Sequence, residues 1–440
     1  MNRIQSPIPM NLEDKPEMTQ EKSCPIESQW KQELLNSYTS GTDLAKAGII
    51  TELEAARLGK VSELFKIRIT PYYANLISSD PACPIRLQAI PQTQEEDPEF
   101  PQWVKHWSEK LYQKPSPMSN DAIGDIRNLA APRITHRYPQ RAILHLSSLC
   151  AMYCRFCFRK THLNDQDRTL YDGSLDEAFA YLKTHTEIEE LILTGGDPLS
   201  VTDEALRRVF ERVSEIKNIK VVRIHSKMAV TLPARFNSSL LSILSKDWGF
   251  QLILVSHFNH PKELTPLAKE KIKALKKTGV TLLNQSVLLR RVNDSATTLE
   301  ALFQGLYQIG VIPYYLHHPD WTAGTFHFRL SIEQGRTLMR ALRGRLSGPA
   351  LPDYILDIPG GYGKISLLDE SSCKKLQDLE RDCPSEISGS LYELTPPHTR
   401  IDSIHSPILY LDLSHRMKPS KHLTSLTTSA PLEAYANTAD

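Results

Sequence analysis

Between residues 142 and 350 short apolar runs alternate with helical patterns, and this alternation constrains the fold more than any other feature of the chain. "AILHLSSL" (142–149), "ELILTGG" (190–196), "KVVRIHSK" (220–227), "QLILVSH" (251–257), "VTLLNQSVLL" (280–289) and "VIPYYLH" (311–317) are rich in Ile, Val and Leu. Between them lie "SLDEAFAYLKTH", "TDEALRRVFERVSE", "LLSILSK", "LTPLAKEKIKALKKTG" and "SATTLEALFQGLYQIG", whose apolar residues recur at helical spacing. Strand then helix, repeated about six times, predicts a parallel sheet with right-handed crossovers. The expected fold class is α/β, a partial (β/α)6-type barrel with an N-terminal helical region and a C-terminal extension. In such barrels chemistry gathers where the strands end. The polar motifs obey that rule: three cysteines follow the first run, "TGGDP" the second and "SHFNH" the fourth.

The flanks are less constrained. Residues 1–27 are polar and Pro-rich and read as a mobile lead. Residues 28–135 carry helical spacing, and Thr51 with Glu54 in "ITELEAARLG" forms a candidate capping box. The barrel is expected over 136–350, and a segment around "DYILDIPGGYGK" over 351–382. The tail, 383–440, is rich in Ser, Thr, Pro and His, so it is expected to add little core and to be partly disordered. The N-terminus has no apolar core of a secretory signal. No run approaches the roughly 18 apolar residues of a membrane-spanning helix. A formal net charge of +1 gives no bulk attraction to nucleic acid or a membrane. Of seven cysteines three are clustered and four scattered, which argues for a reduced, cytoplasmic setting rather than a disulfide framework.

"CAMYCRFC" places Cys150, Cys154 and Cys157 within eight residues. Structural zinc takes four ligands and usually paired CxxC motifs, and no second pair exists here. A ferredoxin-type cluster also takes four thiolates. Three thiolates fit a cluster with one iron open to another ligand. The CxxxCxxC spacing resembles the radical S-adenosylmethionine (SAM) enzymes. That resemblance implies a [4Fe–4S] cluster whose open iron is chelated by SAM, the source of a 5′-deoxyadenosyl radical. "TGGDPL" ends a strand, and its glycines allow backbone to approach a ligand closely. It resembles the SAM-binding segment of the same superfamily, carried here by Gly195, Gly196 and Asp197.

The cysteine cluster, "GGDPL", "NQSVLL" and "DIPGGYGK", in this order, resemble the lysine 2,3-aminomutase family, and "ITPYY", "THRYPQRA" and "SHFNHP" extend the likeness over roughly residues 28–370. The resemblance implies pyridoxal 5′-phosphate (PLP) bound as a Schiff base to Lys364. Glycines admitting a cofactor, followed by a free amine, suit that chemistry. Arg137, Tyr138 and Arg141 match the PLP-contacting stretch, and arginines suit a phosphate. Gln285 matches a polar residue near the cofactors, His257 one near SAM, and Arg159 the arginine that pairs with the substrate α-carboxylate. Asp320 and Asp357 match two aspartates that hold the distal ammonium of lysine. A buried ammonium needs such compensation.

The sequence departs from the family in one respect. Ser295 stands where clostridial members have a zinc-binding cysteine, and the tail has only Cys373 and Cys383, so zinc is not expected. The expected activity is an isomerase moving the 2-amino group of L-lysine to C3 to give β-lysine. An arginine 2,3-aminomutase, or a lysine enzyme serving modification of elongation factor P, stays open beside it. So do a radical SAM reaction without PLP and a non-catalytic metal-binding module. A small-molecule amino-acid substrate, a reductant such as flavodoxin or ferredoxin, and a homo-oligomer complete the expectation.

Overall fold

The computed structural model describes residues 25–96, 121–163, 169–379, 387–397 and 407–415. All but the last three residues of the expected N-terminal lead, and Cys383, lie outside these. Ten strands form one sheet in sequence order. They are β1 (Leu129–Ala131), β2 (Ile134–Tyr138), β3 (Arg141–Ser147), β4 (Glu190–Gly195), β5 (Val221–Ser226), β6 (Gln251–Ser256), β7 (Thr281–Val287), β8 (Ile312–His317), β9 (Asp353–Asp357) and β10 (Lys364–Ser366). β3 to β9 are parallel neighbours throughout. β2 and β10 join the two ends antiparallel, and β1 pairs only with β2, so the barrel is partial, as expected. β9 adds a seventh parallel strand to the six legible runs. Its apolar stretch is only "YIL" between aspartates, too short to read as a barrel strand.

The crossovers form where amphipathic spacing meets a side-chain cap. In the helix Asp203–Ser214, Leu206, Val209, Phe210 and Val213 are buried on one face, while Thr202 accepts from the Ala205 N–H at its start. Each such side chain removed from water contributes about 1.5–3 kcal/mol. Ser174, Asn237, Thr265, Ser295 and Ser331 cap the helices Leu175–Thr184, Ser238–Ser245, Pro266–Lys276, Ala296–Gln308 and Ile332–Leu342 in the same way. No helix among the described residues is long and apolar enough to cross a membrane.

The N-terminal helices lean on the barrel. The Thr51–Glu54 capping box forms as expected. Tyr73 donates to Glu263 at 3.0 Å, and Asn259 donates to Gln88 at 3.0 Å. The chain beyond Cys373 adds more core than its composition suggests. β11 (Cys373–Asp378), β12 (Ile387–Leu394) and β13 (Ile408–His415) form a second, antiparallel sheet. Its Tyr392, Leu394, Tyr410, Leu411 and Leu413 are buried in the main core. The alternation in "ILYLDLSH" encodes that face, but Ser, Thr and Pro around it mask the signal.

Candidate active site

A cavity of about 370 Å³ opens at the C-terminal ends of the parallel strands, and all fifteen residues singled out in the sequence line it. Cys150, Cys154 and Cys157 follow β3. Gly195, Gly196 and Asp197 end β4, and His257 follows β6. Gln285 lies on β7, Asp320 beyond β8, Asp357 on β9 and Lys364 on β10. Arg137, Tyr138, Arg141 and Arg159 complete the set.

The cysteine loop is held from beneath. Arg155, between the second and third cysteines, is 1% exposed and grips Glu95 with Nε at 3.1 Å and Nη2 at 2.6 Å. Lys160 donates to the same carboxylate at 2.7 Å and to the Gly324 carbonyl at 3.4 Å. Burial would raise the Glu95 carboxyl, but Lys160 and Arg155 outweigh it and hold it at about 2. Among the cysteines the balance runs the other way. Burial, then neighbouring anionic groups, pushes Cys150 well up; burial pushes Cys154 up to about 12, and Cys157 is also raised. The three thiols lie within electrostatic reach of one another. Among the described residues no three His, Cys, Asp or Glu side chains already surround a point as tightly as one metal ion needs. Three thiols on one loop are the donor set that a thiolate-held iron–sulfur cluster takes.

The β4 turn lies against this loop. The Gly196 N–H donates to the Ser147 carbonyl at 2.6 Å and the Asp197 N–H to the Leu149 carbonyl at 2.8 Å. A Cβ on Gly196 would stand 2.7 Å from that Leu149 oxygen, so only glycine permits the approach. Asp197 borders the cavity and also carries a tie of its own. Its carboxylate accepts from the Ser226 hydroxyl at 2.8 Å and from the N–H groups of Lys227 at 2.8 Å and Leu199 at 3.0 Å. Its side chain thus ties the ends of β4 and β5 together, although it borders the cavity.

On the opposite wall, β9 and β10 pair Lys364 with Asp357 across their hairpin. Lys364 Nζ makes a close ion pair with the Asp357 carboxylate. Arg137 Nη1 lies 3.4 Å and His317 Nδ1 3.6 Å from the same group. Burial would raise Asp357, but Lys364, His317 and Arg137 hold it well below the usual carboxylate range. Asp320 moves the other way: burial raises it, and the neighbouring Asp357 raises it further. In the turn "PGGYG", Gly361 sits at φ 87° against Gly124, where a Cβ on Gly124 would meet the Gly361 Cα at 2.4 Å. The Lys364 N–H donates to the Tyr138 hydroxyl at 2.8 Å, and the Arg141 guanidinium lies 4.3 Å from the Tyr138 ring centroid. The end near Lys364, with Arg137 and Arg141 beside a primary amine, suits an anionic cofactor with an aldehyde.

Two walls of the cavity meet through a residue the motifs do not contain. Asp125 pairs with Arg159 at 2.7 Å and with Arg137 at 3.5 Å, and all three are buried. Arg159 also donates to Thr194 at 3.2 Å and the Gly195 carbonyl at 3.3 Å. Gln285 Nε2 lies 2.7 Å from His257 Nε2, and burial, then Lys227, lowers that imidazole to about 3, so it is neutral. His225 and His317 were also not singled out, though each ends or nearly ends a parallel strand on the cavity side. That position was the available signal.

Comparison with known proteins agrees with this geometry. A family model described as a 4Fe-4S single cluster domain matches residues 140–241. An Aquifex aeolicus protein provisionally named L-lysine 2,3-aminomutase is 40% identical over 72% of this chain and 81% of its own. The L-lysine 2,3-aminomutase of Fusobacterium nucleatum is 34% identical over 78% of this chain and 76% of its own. The glutamate 2,3-aminomutase of Clostridioides difficile is also 34% identical, over 79% and 78%.

Proposed function

The chain belongs to the lysine 2,3-aminomutase family of radical SAM enzymes, and from that premise we propose that it is a PLP-dependent enzyme converting L-lysine to β-lysine. The family makes it an isomerase of the aminomutase type that uses an iron–sulfur cluster and SAM. Cys150, Cys154 and Cys157 would hold the cluster, with Gly195 and Gly196 beside SAM. Lys364 would bond PLP, with Arg137, Tyr138 and Arg141 near it. When bound, the cluster and SAM supply a hydrogen-abstracting carbon radical, and PLP carries the migrating nitrogen.

The choice of lysine rests on one observation, the pair of carboxyl groups Asp320 and Asp357 at the Lys364 end of the cavity. A glutamate side chain would meet the Asp357 charge and gain nothing from ionising Asp320, whereas an ammonium pairs with both once Asp320 gives up its proton. Asp357 is engaged with Lys364 in the free protein. With PLP bound, the same carboxylate would be shared between the Lys364 amine and the substrate ammonium. Arg159, braced by Asp125, would receive the α-carboxylate. The reading carries with it a flavodoxin or ferredoxin as reductant, a homo-oligomer and a cytoplasmic setting.

The deciding experiment is an anaerobic assay with free lysine, arginine, glutamate and unmodified elongation factor P side by side. Turnover of free lysine alone is expected; turnover confined to any other substrate would overturn the reading. Lys364→Ala is expected to lose both turnover and the visible absorbance of a lysine-bound PLP, and retention of that absorbance would remove Lys364 from its role. For Asp320→Asn, losing one partner of a buried ion pair costs about 3 kcal/mol, so lysine KM should rise roughly 100-fold. Because the Asp320 pKa is raised in the free protein, an arriving ammonium must displace its proton. Lysine affinity should therefore fall as pH falls below neutrality, with proton release on binding. Calorimetry in buffers of different ionisation enthalpy checks this, and Asp320→Asn should abolish the released proton.

A further inference from the structure

The β8-to-helix loop that carries Asp320 is fastened to the C-terminal sheet through one buried guanidinium. Arg329 is fully buried. Its Nη1 donates to the Pro319 carbonyl, immediately before Asp320, and its Nη2 lies 3.0 Å from His318 Nε2. The guanidinium also lies 4.0 Å from the Trp321 ring centroid, immediately after Asp320. The other contacts of the same group are with β13. Nε donates to the Leu413 carbonyl at 3.1 Å, Nη2 donates to the Tyr410 hydroxyl at 2.8 Å, and Asp412 Oδ1 stands 3.6 Å away. Asp412 is itself fixed, because its Oδ2 accepts from the Ile332 N–H at 2.7 Å, at the start of the helix Ile332–Leu342. A second tie runs from His318 Nδ1 to the Tyr354 hydroxyl at 2.8 Å, on β9 beside Asp357.

We propose that Asp412, acting through Arg329, is a positioning residue for substrate choice, so that β13 sets where the Asp320 carboxylate stands in the cavity. Resting on the ammonium-binding reading above, the proposal gives the C-terminal sheet a part in specificity. A planar guanidinium holds its acceptors in a fixed fork, so its orientation fixes the carbonyl it grips. Asp412 supplies the opposite charge that keeps this fork buried and turned toward Pro319. Without it, the buried guanidinium loses its carboxylate partner on β13, and the grip on Pro319 loosens.

The test compares two ligands on the anaerobic holoenzyme by equilibrium dialysis. L-lysine carries the distal ammonium; L-norleucine has the same carbon chain without it. Asp412→Asn is expected to weaken lysine binding about tenfold, a change of roughly one hydrogen-bonded charge contact, while norleucine binding stays within about twofold. Lysine KM should rise in parallel with kcat little changed. Tyr410→Phe, which removes one neutral hydrogen bond, should show the same lysine-only pattern at about threefold and serves if the first variant does not fold. Equal weakening of both ligands, or no weakening of lysine, would overturn the proposal. If Asp320→Asn itself leaves the preference for lysine over norleucine intact, the ammonium-binding reading fails. If Asp320→Asn loses the preference while Asp412→Asn keeps it, only the positioning role fails.

Discussion

Replacing Cys154 with alanine is expected to remove the iron–sulfur absorbance of the anaerobically isolated protein and to take aminomutase turnover to background. The thiol is buried, and burial pushes it up to about 12, so alone it stays protonated at neutral pH. Its two neighbours are raised for the same reason, and each thiolate formed would make the next harder to form. Only a polyvalent cation in the loop reverses that balance, because metal ligation and loss of the thiol proton are one coupled event. On the proposed ligand set, two thiolates would remain for a cluster that already leaves one iron to SAM. Iron and sulfide analysis, with the charge-transfer absorbance near the visible region, checks the outcome. Wild-type iron content together with wild-type turnover would remove Cys154 from the ligand set.

The second large effect is expected from a residue that touches no reactant. Glu95→Gln should destabilise the protein by about 3–5 kcal/mol, the usual cost of leaving a buried charge without its partner. Glu95 is fully buried between Arg155 and Lys160. The amide cannot balance either cation. Lys160 can shed its proton, since burial already lowers it to about 8 even with Glu95 present; Arg155 cannot. The sign with pH follows. A lysine depressed in the folded state binds fewer protons there than when unfolded, so stability rises with pH across that window. The melting temperature of Glu95→Gln should therefore drop by several degrees at neutral pH and partly recover on the alkaline side. Below neutrality the wild type should itself weaken as the solution approaches acid, where Glu95 takes up its proton. An unchanged melting curve for Glu95→Gln would mean that the triad does not hold the cysteine loop.

The sequence disclosed what is local. Six strands were legible because a strand buried on both faces writes itself as a continuous apolar run. The cysteine spacing, the "GGDP" turn and the "PGGYGK" hairpin were legible because their chemistry is compressed into a few adjacent residues. Charge pairing across the fold was not. Arg155 and Glu95 are 60 residues apart, Arg159 and Asp125 are 34 apart, and Arg137 and Asp357 are 220 apart. Nothing in a one-dimensional pattern says which carboxylate a buried arginine will meet. Asp197 shows the same limit inside a motif: the turn was legible, but not that its carboxylate would accept from Ser226, Leu199 and Lys227. The tail was misjudged in its core because β12 and β13 keep strict alternation only over eight residues each, within a stretch whose composition looks unstructured.

The hairpin between β9 and β10 acts as a counting device. Asp357 and Lys364 stand opposite one another because six residues separate them in the turn and the ladder keeps that register through Leu356–Ile365 and Ile355–Ser366. Successive strand residues face opposite sides. A slip of that ladder by one residue would leave a glycine-rich run and a lysine that any motif search still finds, with its amine facing away from the cavity. Divergent chains of this kind should therefore be sorted by whether the lysine still pairs with the aspartate across the ladder, since a slipped register retires the amine even where every letter of the signature survives.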